Sequence, residues 1–174
     1  MKMILAFSLI APLLGGMIFT KSSGSNQKPD GAVQSYEYSY SATMAYPLTF
    51  YKVWQEPAGN VMIAWQKDCN PEVQIINAPA DALEHIKAIS KHFKLHRLKR
   101  SYFPSVEILD GNSWYTCIDY EKGSISSGGQ NASAPDKLMA GISAINSYIQ
   151  SLIDATSESD ILMRKDFREF INGR

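Results

Sequence analysis

The apolar and polar positions of the chain fall into three regimes. From Ile4 to Phe19 they are predominantly apolar and uncharged, from Thr20 to Gly31 almost wholly polar, and from Ala32 onward short-period patterns take over. Tyr36, Tyr38 and Tyr40 alternate with Glu37, Ser39 and Ser41, the period of a half-buried strand. After Pro47, Leu48 to Glu56 is rich in aromatic and β-branched residues, and Pro57-Ala58-Gly59-Asn60 is a turn joining it to a strand over Val61–Lys67. A short strand, Glu72–Ile76, is expected after Pro71. Asn77 to Asp81 then reads as a helix start, with Leu83, Ile86, Ile89, Ser90 and Phe93 on one face of the helix that follows.

A basic connection leads to Arg100. Beyond it, Val106–Leu109, Ser113–Glu121 and Ser124–Ser127 read as a three-stranded meander that Gly128-Gly129 ends. The strongest pattern opens at Ser133-Ala134-Pro135-Asp136: Leu138, Ile142, Ile145, Ile149 and Leu152 recur at intervals of three and four, the stripe of an amphipathic helix. A last helix, about Glu158–Ile171, has a weaker stripe. The elements define an α+β fold: an antiparallel sheet of about six or seven strands, two main helices packed on one face and a C-terminal helix. The order Gly59-Asn60, two strands, Asn77-Ala78-Pro79-Ala80-Asp81 and a helix is echoed by Gly111-Asn112, two strands, Asn131 to Asp136 and a helix. That suggests an internal hairpin-strand-helix duplication, although turn and cap residues also recur by convergence.

The first regime changes the picture of where the protein works. Lys2, a short apolar run broken by Pro12 and Gly15-Gly16, and a polar exit are the parts of a secretory signal, too broken to cross a bilayer comfortably. Residues 1–20 are therefore expected to be a signal peptide or, failing cleavage, an anchor; 21–31 a flexible linker; and 32–174 a single domain. The expected location is secreted or periplasmic, in the cell envelope. Loss of residues 1–28 removes three lysines, leaving 14 basic against 17 acidic residues, a net of −3 that argues against bulk nucleic-acid binding. In an oxidising compartment, Cys69 and Cys117 are expected to form a disulfide, the alternative being two separate buried thiols.

Four groups of residues carry candidate chemistry. Lys91, Lys94, Arg97, Lys99 and Arg100, with Tyr102 and other apolar residues interleaved, make a local basic-aromatic patch suited to an anionic partner; the plain alternative is a solvated helix end. His92 and His96, four apart, are weak candidates for a shared metal if the helix extends to His96, but no third ligand is spaced to join them. Tyr36, Tyr38, Tyr40, Tyr46, Phe50, Tyr51, Trp54 and Trp65 concentrate in the first strands, as a sheet core or as a stacking surface. Ser124 to Asn131 offers glycines ahead of a helix but lacks the pattern of a phosphate loop or a nucleophile elbow.

No catalytic constellation or cofactor signature is present. The expectation is an exported envelope binding or accessory protein without catalytic activity, its partner an envelope protein or anionic glycan, with a membrane involved only if the leader is uncleaved. The other reading is a small secreted hydrolase or metal-dependent enzyme, with His92 or His96 meeting a carboxylate such as Asp119 or Glu121 in one cleft.

Overall fold

A computed structural model describes residues 28–42, 46–106 and 111–173. The leader, most of the linker and all but the first residue of the strand expected at Val106–Leu109 lie outside the described residues. Among the described residues eight strands form one mixed sheet: β1 (Asp30–Ala42), β2 (Thr49–Gln55), β3 (Val61–Lys67), β4 (Glu72–Asn77), β5 (Ser101–Tyr102), β6 (Asn112–Lys122), β7 (Ser124–Gln130) and β8 (Met163–Asp166). Three α-helices among the same residues accompany it: α1 (Ala82–Phe93), α2 (Asp136–Asp154) and the six-residue α3 (Phe167–Asn172). The spatial order is β5-β7-β6-β1-β2-β3-β4-β8, antiparallel throughout except where β5 meets β7. The protein is thus α+β with a mostly antiparallel sheet, and its strands outnumber the six or seven expected because two short edge strands join.

Alternation along the strands builds two cores. Tyr36, Val53, Ile63, Ile76 and Ile118 point to the face on which α1 and α2 pack side by side, contributing Leu83, Ile86, Ile142, Ile145 and Ile149. A register irregularity between Val33 and Ser35 switches the phase of β1, so that Val33 and Tyr36, three apart, both reach this core. On the opposite face, Phe50, Met62, Ala64, Val73 and Ile75 are covered by Phe167, Phe170 and Ile171 of α3. The long last helix expected over Glu158–Ile171 is instead a 3₁₀ turn (Glu158–Asp160), β8 and α3. Asp166 divides strand from helix there, its carboxylate accepting the backbone N–H groups of Arg168 and Glu169.

Two hairpin-helix units, β3–β4–α1 and β6–β7–α2, recur with their helices on one face. The match is inexact. β2 precedes β3 and pairs with it, whereas β5 precedes β6 but pairs in parallel with β7 at the sheet edge.

Both cysteines are free, which corrects the expected disulfide. Cys69 occupies the β3–β4 turn, and Cys117 lies on β6, three strands from β3 and so roughly 14 Å away by strand spacing alone. A disulfide needs Cα atoms about 4.4–6.8 Å apart. Gly128-Gly129 does not end β7 but lies within it. A Cβ at Gly129 would meet the Ala132 carbonyl oxygen at 2.2 Å and the Trp114 Nε1 at 2.4 Å, the two atoms that hydrogen-bond beside it at 2.8 Å. These glycines serve strand packing and do not lie in a loop at the α2 N-terminus.

Candidate functional site

The basic run crosses from the end of α1 to the β5 edge of the sheet. Helix α1 stops at Phe93 because Lys94 turns left-handed, with φ of 58°, and its N–H closes back on the Lys91 carbonyl. Leu95 and Leu98, both 0% exposed, then plug into the core on either side of a single 3₁₀ turn, Leu95–Arg97. With the two leucines facing inward, Lys91, Lys94, Arg97, Lys99 and Arg100 are all left exposed. The backbone that holds the last two is fixed: Ser127 Oγ donates to the Lys99 carbonyl at 2.7 Å, and the Gly128 N–H donates to the Arg100 carbonyl at 3.1 Å.

Among the described residues, no carboxylate lies within ion-pair distance of these five cations. Lys87, one turn before Lys91 on α1, is paired with Glu84 at 3.7 Å. Tyr102 belongs to the same edge but faces inward. Its hydroxyl accepts the Lys99 N–H at 3.0 Å, and its ring lies 5.9 Å from that of Trp114, so it props the turn and is no free stacking surface. The exposed apolar side chains of this edge are Phe103, 60% exposed, and Val106, 71%. Phe103 is one of the apolar residues interleaved with the basic run in the sequence; Val106, read there as the start of a strand, carried no sign that it belongs to the patch.

The start of β1 meets the same edge. Asp30 pairs with Lys122 in the β1–β6 ladder, Pro29 Cβ lies 3.8 Å from where a Cβ on Gly123 would sit, and β7 begins there at Ser124. Because β5 runs parallel to β7, the residues before Ser101 extend toward that corner. Burial, followed by the charges of Arg97, Lys28 and Lys94, holds His96 below the usual histidine range. Its charged form is thus disfavoured, and the cations of the patch are lysine and arginine.

The three histidines do not converge. His85 stacks on Tyr148 at 5.2 Å, His92 meets the ring of Phe93 edge-on, and the left-handed Lys94 takes His96 off the helix that would have set it one turn from His92. Asp119 and Glu121 alternate with Ile118 and so point to the sheet face opposite the one that α1 covers. On that outer face Ser35 Oγ donates to Asp119 at 2.8 Å, and the Cys117 thiol donates to the same carboxylate at 3.5 Å. Burial, followed by the Asp119 charge, pushes the Cys117 thiol up to about 12, so this cluster holds a protonated and unreactive sulfur. Among the described residues no group of three or more His, Cys, Asp or Glu side chains is placed to hold a metal ion.

Of the aromatic set, Tyr36 and Tyr51 are core. Their hydroxyls donate to Asn146 at 2.6 Å and Gln150 at 2.8 Å, tying β1 and β2 to α2. Tyr38 and Trp65 are half-buried and flank Tyr51 in register, while Trp54 lies on the opposite face against Phe170. A shallow depression of about 540 Å³ adjoins Trp65, lined with Lys67, Asn70, Glu72 and Gln74 of the β3–β4 hairpin; it is remote from the basic edge. No protein-family model matches the chain and no curated protein matches it, so the site is read from its geometry alone.

Proposed function

We propose that the chain is an exported, non-catalytic binding protein of the cell envelope that captures an anionic partner, a protein face or a glycan, along its basic edge. The observation that carries this reading is the set Lys91, Lys94, Arg97, Lys99 and Arg100, exposed, without a carboxylate partner among the described residues, and mounted on backbone pinned by two fully buried leucines. Unpaired cations on a rigid frame repel one another, and an incoming anion relieves that repulsion without first breaking internal ion pairs. Support also comes from the histidines and carboxylates of the enzyme reading, which stand on different elements and faces.

Pull-down from envelope extract with the full chain, wild type against a Lys94→Glu/Arg97→Glu/Arg100→Glu variant, tests it. Capture that is salt-sensitive and lost in the variant is expected. Capture unchanged by the charge reversal would remove the basic edge from the function.

A further inference from the structure

We infer that the basic edge is also a membrane-docking surface: Lys94, Arg97, Lys99 and Arg100 meet anionic lipid headgroups, while Phe103 and Val106 enter the interfacial layer beside them. The inference rests on the edge being an anion-binding surface, as proposed above, and adds a bilayer as its occupant.

Three observations point to lipid. First, Tyr102 is turned inward to Lys99 and Trp114, so its ring is not offered to a glycan. What the edge does expose is Phe103 and Val106, next in the chain to the cations. Exposed apolar side chains flanked by lysine and arginine match the two layers of a bilayer surface, anionic headgroups over acyl chain. Second, the charge is complementary and local. Lys28 and Lys122 at the corner where β1 begins are matched by the carboxylates Asp30 and Glu121, so the excess positive charge is that of Lys91, Lys94, Arg97, Lys99 and Arg100 along the edge.

Third, the chain itself leads there. The apolar run Ile4–Phe19 joins the domain through residues 20–27 and Lys28, at the corner that the basic edge shares. Eight residues span at most about 28 Å whatever path they take. An uncleaved leader would therefore hold the domain within that distance of the bilayer, attached on its basic side, and docking would become an intramolecular step at high effective concentration.

The test uses the full chain reconstituted into vesicles of phosphatidylcholine alone or with added phosphatidylglycerol. Leader insertion is common to both, so the readout has to report the edge. A Val106→Cys variant in a Cys69→Ser/Cys117→Ser background, labelled with a polarity-sensitive fluorophore, does so. A blue shift and protection from an aqueous quencher are expected on anionic vesicles only, reversed by high salt and by Lys94→Glu/Arg97→Glu/Arg100→Glu. For peripheral binding, neutralising three cations near such a surface corresponds to roughly a hundredfold loss of partitioning.

The salt reversal uses a protein without charge changes, which guards against a variant that fails to fold. A label equally wet on both vesicle types overturns the docking inference. If a soluble sulfated or uronic-acid polysaccharide is then still captured by the wild type and not by the reversed variant, the edge binds anions but not membranes, and the proposed function stands. If neither vesicle nor polysaccharide is captured, the docking inference fails, and the pull-down from envelope extract decides whether the proposed function fails with it.

Discussion

At the scale of single residues, the two thiols and one lysine show how the same side chain is given different work by its surroundings. Cys117 sits among Asp119, Tyr115 and Glu37, where burial and negative charge favour the protonated form up to about 12, against 9.0 for an ordinary thiol. At about pH 8 its thiolate fraction is then roughly a thousandfold below that of an unperturbed cysteine. Alkylation of the native protein followed by mass spectrometry should label Cys69 first and Cys117 only on unfolding; equal rates would refute the buried placement. Lys94 is strained where it stands, since its left-handed backbone ends α1 in a position that favours glycine. Lys94→Gly is expected to raise the unfolding free energy read from urea denaturation by about 0.5–1 kcal/mol, the left-handed penalty less the added freedom of an unfolded glycine. The same change should weaken capture by the basic edge, so stability and binding would move in opposite directions.

At the scale of elements, close contacts decide more than propensity does. Gly141 lets α2 approach the end of α1: a Cβ there would lie 2.6 Å from Phe93 Cβ and 2.8 Å from Leu95 Cδ2. Gly141→Ala should therefore destabilise by about 1–2 kcal/mol in chemical denaturation, the overlap outweighing the better helix propensity of alanine. Elements whose own residues carry the period were legible in the chain. The stripe from Leu138 to Leu152 is α2, the tyrosine alternation is β1, and the Pro57 to Asn60 turn joins β2 to β3. The edge strands were not, because Ser101-Tyr102 and Met163–Asp166 are strands by virtue of the neighbours they pair with and have too few residues to show alternation. The spacing of Leu162, Phe167 and Phe170 imitates a helix, yet Phe167 and Phe170 reach the outer core from a short α3 after an extended β8. For the candidate edge, the cations were visible as a run; the inward turn of Tyr102 and the exposure of Phe103 and Val106 follow from the β5–β7 pairing, a contact between distant parts of the chain.

At the scale of the whole molecule, a buried phenol and a half-buried thiol couple folding to alkaline pH. Burial raises the Tyr36 phenol well above its ordinary value, and burial followed by the Asp119 charge takes the Cys117 thiol up to about 12. In each case the folded state keeps a proton that the unfolded chain releases more readily, so the stabilisation is complete below the unfolded values, 9.0 for the thiol and 10.0 for the phenol. It is lost as pH rises from there toward the folded values. Melting temperature measured across an alkaline series should be flat below about pH 9 and fall above it, with Cys117→Ser softening the first part of the decline. A melting temperature that held level into strongly alkaline solution would contradict the burial of these groups.

The position of β1 has a bearing on how the chain comes together. Among the described strands it is the earliest to leave the ribosome, it bonds β2 on one side within a few residues, and its other side waits for β6, whose first paired residue, Asn112, lies seventy positions after Ala42. Throughout that interval the growing polypeptide presents one satisfied ladder and one row of open amide and carbonyl groups, an invitation to pair with a neighbour. A holding factor that shields this half-finished ribbon would be needed only until the sixth strand arrives.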